Sequence, residues 1–271
     1  MRYFLFVTIL FFLFSPPLQA QNGNYETRGY GKTIMCDVND FFQTGVDLIA
    51  QPFMWQGEDW LRFGGTFAAT GALFLLDETV RDFAQKNQSD FNDGLFGIDD
   101  WITGSRALIA PSAVYLYGFF ARNRKVRTLG LHAAEALIYS AAITQILKIS
   151  FGRFRPYNGK GNLKFEPLSF SEDKYSLPSG HATAAFALAG VFSEAFDNSV
   201  WSVFCYGAAS VISVARIYHD EHWLSDVFLG GVIGYSVAKF VVNNRMQYFQ
   251  FGSVEITPRV FANGVGISAK F

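Results

Sequence analysis

Cysteine is nearly absent. The two in 271 residues, Cys36 and Cys205, are too few for a disulfide framework and too far apart for a C-x-x-C metal site. One bridge between them stays open, although Cys205 falls in an apolar run, where a buried thiol is the default. Charge is scarce as well, at 17% of residues, and balanced: 22 Lys and Arg against 23 Asp and Glu give a formal net charge of -1. No basic tract dominates, which argues against a nucleic-acid partner. Internal repeats and low-complexity blocks are missing too, so the chain is not a repeat array. What remains is apolar. Half of the residues are hydrophobic and 17% are aromatic, enough for one domain with a large core or with several membrane spans.

The chain opens M-R-Y-F-L-F-V-T-I-L-F-F-L-F-S-P-P-L-Q-A-Q. One Arg, an unbroken apolar stretch, two prolines and Ala20 before polar residues form the pattern of a secretory signal peptide over residues 1–20. The mature chain is then expected outside the cytoplasm. Residues 21–60 show no sustained period and predict a loop-rich lead with one amphipathic helix around Asp40–Ala50. A helical domain over residues 61–246 follows, with six apolar runs near Leu61–Leu76, Ser105–Ala121, Thr128–Gly152, His181–Phe196, Val200–Arg216 and His222–Val242. Between the first two, the acidic and Asn-rich stretch Asp77–Gly104 predicts a surface excursion. In residues 247–271, Asn263-Gly264 between alternating runs predicts a small β-hairpin, with Pro258 restricting its first strand to an edge.

Charge gathers where helical runs end. The three clusters read K-I-S-F-G-R-F-R-P from Lys148 to Pro156, P-S-G-H from Pro178 to His181, and A-R-I-Y-H-D-E-H-W-L-S-D from Ala215 to Asp226. This inventory suits transfer of a phosphoryl group, which keeps its negative charge and asks the protein mainly for positioning and electrostatic stabilisation. Lys148, Arg155 and Arg216 are the expected clamp, the arginines as planar forks and the lysine as a point charge. Ser179 and Gly180 at the start of an Ala-rich helix offer backbone N–H groups and a hydroxyl to an anion. His222 and Asp226, four apart, would share one helix face, so that the carboxylate holds one ring nitrogen and the other is left to attack. His181, from another helix, is placed to protonate the leaving alkoxide. Taken singly, Lys148 and Arg216 are as well explained as cations at helix C-termini. The joint pattern decides. His219 reads as a bystander in a loop or on the surface, and His132 as a packing histidine.

The pattern K-x6-R-P, then P-S-G-H, then S-R-x5-H-x3-D is the tripartite signature of the type 2 phosphatidic acid phosphatase and vanadium haloperoxidase superfamily, which this chain resembles over roughly residues 100 to 240. It departs at Ala215, where the family usually has Ser. The resemblance implies an all-α fold, here a six-helix bundle carrying the small C-terminal β-hairpin. It also implies His222 as a phosphohistidine, Asp226 as its orienter and His181 as general acid, with Lys148, Arg155, Ser179, Gly180 and Arg216 on the phosphate. Family phosphatases need no metal or other cofactor, whereas the haloperoxidases hold vanadate in the same cradle. If neighbouring helices are antiparallel, all three motifs meet at one end of the bundle, under Tyr157–Leu177.

The expected partner is a phosphorylated lipid or a small phosphate ester. An integral membrane phosphatase with an outward-facing site and a soluble periplasmic acid phosphatase both fit the cradle. Arg122, Arg124, Lys125 and Arg127 between the second and third runs would be cytoplasmic by the positive-inside rule, which sends the third run outward, whereas a chain that begins outside and crosses at Leu61–Leu76 would reverse this order. The apolar runs are short and rich in small residues, and Glu135 and Glu194 within them are tolerable only if they face the bundle interior. A haloperoxidase and a non-enzymatic envelope protein are the remaining readings.

Overall fold

The computed structural model describes residues 29–97, 104–196 and 198–243, and the strand residues 249–251, 254–261 and 264–270. The expected signal peptide, residues 1–20, lies outside the described residues. Nine α-helices stand among those described, where six were expected. They are α1 (Tyr30–Met54), α2 (Gly57–Leu73), α3 (Asp77–Lys86), α4 (Asp90–Phe96), α5 (Ile109–Phe120), α6 (Arg124–Phe151), α7 (Gly180–Ala195), α8 (Ser199–Tyr218) and α9 (Leu224–Asn243). Each of the six apolar runs falls on one of them. The three additional helices come from the lead and from the acidic stretch.

The lead is not loop-rich: α1 continues for 25 residues. Its amphipathicity is inverted, which hides the usual signal. Asp37, Gln43 and Asp47 are buried, while Ile49 is 74% and Phe53 85% exposed. The polar face meets α6 across a cavity of about 420 Å³ walled by Asp37, Asp40, Asp47, Arg127, His132 and Glu135. His132 thus stands on a polar wall, and Glu135 faces the interior as its position in an apolar run demands. The acidic stretch lies at the surface as expected, but as two helices, and its first residue turns inward. Its first turn carries Asp77 and Glu78 and its last Lys86, matching the dipole of α3, and Asp77 is fully buried.

The core forms where α6, α7 and α9 meet through small residues: Ala133, Ala136 and Leu137 against Ala187 and Val191, and against Val237, Ala238 and Val241. Two glycines let the backbones touch. A Cβ on Gly230 of α9 would lie 2.4 Å from the Ser179 carbonyl, and one on Gly234 would lie 2.1 Å from that of Thr183. This contact locks the start of α7 to the first turns of α9. Cys205 of α8 is a buried thiol in a second cluster with Ala185, Ala189, Ala209 and Ile212. Among the described residues, α8 and α9 are long and apolar enough to cross a membrane, by length and composition.

The tail forms three antiparallel strands, β1 (Phe249–Phe251), β2 (Val254–Phe261) and β3 (Gly264–Lys270), in the order β1-β2-β3. A single hairpin was expected. Residues of β1 pair only as far along β2 as Ile256, so Pro258, opposite Ile267 of β3, has a strand on one side only. A missing N–H is tolerated there.

Candidate active site

Each motif sits at a break in a helix. Lys148 lies in the last turn of α6, which ends on Gly152 at φ 56°, its N–H bonded to the Lys148 carbonyl at 2.9 Å. A side chain there would collide with the Glu166 carbonyl, 1.8 Å from any Cβ, so glycine is required twice over. The chain then sends Arg153 inward and Arg155 back towards Lys148. Ser179 caps α7, its Oγ accepting from Ala182 N at 3.5 Å, and the amides of Gly180 and His181 stay outside the intrahelical ladder. Arg216 ends α8. Its carbonyl accepts from both Glu221 N, at 3.0 Å, and His222 N, at 3.2 Å, around a turn with Asp220 at φ 59°.

All eight residues named for the site converge at one end of the bundle. The charges of Arg216, His222, Lys148 and Arg155 all act on His181, and a Cβ on Gly180 would lie 3.9 Å from Lys148 Cε. Ser179 N donates to the Asp226 carbonyl at 2.9 Å, tying the second motif to the third. The lid expected from Tyr157–Leu177 takes part directly: Lys148 Nζ donates to the Tyr175 carbonyl, and Arg155 N to that of Asp173 at 3.1 Å. His219 is exposed and remote in role, its Nε2 3.3 Å from the Phe96 carbonyl.

The structure corrects how His222 is oriented. His222 precedes α9, which begins at Leu224, so His222 and Asp226 do not share a helix face. His222 Nδ1 lies 2.8 Å from the Ser176 carbonyl and 3.7 Å from Asp226 Oδ2. At the longer distance the carboxylate is an electrostatic neighbour, and the carbonyl is the hydrogen-bond partner. Asp226 Oδ2 is already engaged by Ser176 Oγ at 2.5 Å and Trp223 N at 2.8 Å. A carbonyl can only accept, so Nδ1 carries the proton and Nε2 keeps its lone pair. Burial is the main cause that lowers the pKa of His222 to about 3, with Lys148 and Arg155 adding and Asp226 opposing. The ring is therefore neutral at any ordinary pH. His181 is lowered to about 2 by burial first, then by Arg216, His222, Lys148 and Arg155.

Five partners of the site went unread in the sequence. Arg153 is fully buried and its two terminal nitrogens each donate to a carboxylate at 2.6 Å, Nη1 to Asp226 and Nη2 to Asp77. Nη1 also reaches Ser225 Oγ at 2.7 Å, and Nη2 the Asn162 carbonyl at 2.7 Å. Asp77 in turn accepts from Ser225 N at 2.9 Å, which fixes the first turn of α9. Ser176 supplies both the carbonyl under His222 and a hydroxyl to Asp226. Glu221 is the fifth, its carboxylate paired with Arg155 and 3.6 Å from Arg216 Nη2. Arg153 had a signal in the sequence, as the first cation in G-R-F-R-P, and Glu221 stood within the third motif.

The chain is similar to known proteins. Residues 129–249 match the family model of the PAP2 superfamily. A lipid A 1-phosphatase of Porphyromonas gingivalis is 25% identical over 237 residues, 86% of this chain and 49% of that protein. A PA-phosphatase related-family protein of Dictyostelium discoideum is 30% identical over 159 residues, 52% of this chain and 58% of that one. The chain thus spans about half the length of these curated relatives. Among solved structures, a transmembrane PAP2-type phosphatidylglycerolphosphate phosphatase of Bacillus subtilis superposes with a TM-score of 0.52 at 20% identity, over 66% of this chain and 92% of that one. That likeness shows a shared all-α fold. The three motifs gather at one end of that fold, and residues 129–249, which carry all of them, match the PAP2 superfamily.

Proposed function

We propose that the chain is a phosphatase that cleaves a lipid-linked phosphate ester through a phosphohistidine on His222. The observation that carries this is the 2.8 Å contact from Nδ1 of His222 to the Ser176 carbonyl, which leaves Nε2 as a neutral nucleophile beside three cations and a second imidazole. Nε2 attacks phosphorus, a P–N bond forms, and the P–O bond to the leaving group breaks. His181 donates its proton to that oxygen. Water, deprotonated by His181, then attacks phosphorus, the P–N bond breaks, and inorganic phosphate leaves. Lys148, Arg155 and Arg216 neutralise the charge on the equatorial oxygens, with the amides of Gly180 and His181 and the Ser179 hydroxyl beside them. Arg155 Nε, buried without a hydrogen-bond partner among the described residues, is a donor awaiting such an oxygen. No metal is called on in this scheme. Burial and the surrounding cations keep His181 neutral, and a phosphate dianion bound among them reverses the local field, so the substrate itself arms the acid.

Three features support a lipid substrate and a membrane setting. The outer faces of α1 and α8 are apolar, with Phe53, Val200 and Val203 exposed, the reverse of a soluble bundle. The loop over the cradle exposes Leu163, Leu168 and Phe170 beside the site, a surface suited to acyl chains. Exposed Arg122, Arg124 and Lys125 lie at the end of α6 opposite Lys148, roughly 36 Å away at 1.5 Å per residue. By the positive-inside rule this turns the site outward. The same placement fits a mature chain exported by residues 1–20, with a helical unit over residues 61–246 and the tail appended. Given the likeness to a lipid A 1-phosphatase, glycolipid phosphates are the first substrates to try.

The test is phosphate release by the full chain in detergent micelles. Lipid A, phosphatidic acid and an isoprenyl diphosphate are expected to be turned over at least about tenfold more efficiently, in kcat/KM, than p-nitrophenyl phosphate. Preference for the small ester would overturn the lipid reading and favour a periplasmic acid phosphatase. In the first turnover, before hydrolysis of the phosphoenzyme limits the rate, His181→Ala is expected to slow leaving-group release from esters of aliphatic alcohols by about 10²–10⁴ and from p-nitrophenyl phosphate far less, since nitrophenolate leaves without a proton. Equal losses on both would contradict the acid role.

A further inference from the structure

We propose that Glu221 is a resident anion of the cradle: its carboxylate occupies the guanidinium surface that a phosphoryl group must take, and is displaced each time substrate binds. The inference rests on the phosphatase reading above and adds a competitor inside the site. Glu221 pairs with Arg155 Nη1, and the same oxygen, Oε2, lies 3.6 Å from Arg216 Nη2. These are two of the three cations assigned to phosphate. The position is fixed by the backbone, because Glu221 N and His222 N share the Arg216 carbonyl, and the bidentate pair of Arg81 with Asp220, at 2.6 and 2.7 Å, holds the turn from outside. The backbone of Glu221 is therefore fixed as firmly as that of the nucleophile beside it, while its side chain stays free to turn.

The side chain of Glu221 is 32% exposed, against 9% for Arg216. It has solvent to move into, whereas the arginine does not. A single carboxylate satisfies the arginines only in part, since Arg155 Nε remains without a partner. A phosphoryl group with three oxygens outcompetes it, and the carboxylate then swings out. Such a competitor weakens every oxyanion alike, substrate and product, and so acts on ground-state binding rather than on the chemical step. Its consequence for turnover is release of inorganic phosphate, which three unopposed cations would otherwise retain.

The experiment compares the full chain with Glu221→Gln, and with Glu221→Ala as a second variant. Inorganic phosphate and orthovanadate binding are measured by calorimetry in detergent, alongside kcat and KM. Both variants are expected to bind both oxyanions at least about fivefold more tightly, and KM is expected to fall with kcat unchanged or lower. Were Glu221 only a strut that positions the arginines, both variants would bind oxyanions more weakly and KM would rise; that outcome, or unchanged affinity, overturns the proposal. Absence of oxyanion binding in wild type and variants alike would sink the phosphatase reading and this inference with it. Oxyanion binding by the wild type without tightening in the variants sinks this inference alone.

Discussion

His222→Ala is expected to lower phosphate release by at least about 10³-fold and to abolish labelling of the protein by ³²P-substrate. The size follows from what the cradle retains. Lys148, Arg155, Arg216 and the start of α7 still bind and neutralise the phosphate, so some catalysis over water persists, as it does in other enzymes that lose a nucleophile. What disappears is the covalent route. The label is to be sought under alkaline quench, because a phosphoramidate on imidazole hydrolyses in acid. Gel autoradiography of wild type, His222→Ala and His181→Ala then separates the roles. Wild type carries a transient label. His181→Ala is expected to accumulate it with p-nitrophenyl phosphate, since formation is spared and hydrolysis has lost its base. A labelled His222→Ala protein would place the nucleophile elsewhere. With burial lowering its pKa to about 3, His222 keeps its lone pair available across the neutral range. An acid limb of activity near pH 6 must then come from another group or from the substrate.

Much of this was legible in the residues, and the failures have physical causes. The six apolar runs each lie on a helix, and they were readable from their length and continuous apolar content, since the helices that form the core are apolar on most faces. The three motifs were readable because charge beside apolar runs is costly and therefore informative. By contrast α1 escaped because it points Asp37, Gln43 and Asp47 inward and its apolar residues outward, an arrangement that a reading tuned to buried apolar stripes discounts. Asp77 escaped because its partner, Arg153, lies 76 residues away, and no local pattern marks a contact of that span. The orienting role was assigned to Asp226 from the four-residue spacing and from the resemblance. A carbonyl has no residue identity, so the true contact of His222 Nδ1, the backbone of Ser176, leaves no trace in sequence. Glu221 was in plain view in H-D-E-H, yet only coordinates show that its carboxylate turns towards Arg155 and Arg216.

Arg153→Met is expected to be the most destabilising single change near the site, by about 3–5 kcal/mol, although Arg153 is given no contact with phosphate. Arg153, Asp77 and Asp226 are each fully buried, so removing the guanidinium strands two carboxylates in a medium that cannot solvate them. Methionine nearly matches the length of the stem and keeps the packing against Phe74, Phe165 and Trp223, whose rings lie 4.4, 5.5 and 5.5 Å from the Arg153 guanidinium carbon, so the loss is electrostatic rather than steric. Arg153→Lys should rescue little, because one ammonium cannot serve Asp77, Asp226, Ser225 and the Asn162 carbonyl from a single point. Thermal unfolding in detergent checks this, with a fall in midpoint on the order of 10 °C. The decisive comparison is the double variant Arg153→Met with Asp77→Asn. If the cost comes from stranded charge, neutralising one carboxylate relieves part of it, and the double variant is more stable than the sum of the single changes predicts. Strict additivity, or a loss below about 1 kcal/mol for Arg153→Met, would show that the buried network does not hold the third motif in place. Activity should fall with stability even at temperatures where the protein stays folded, because Asp226 fixes Ser176 through its hydroxyl, and the Ser176 carbonyl sets the tautomer of His222.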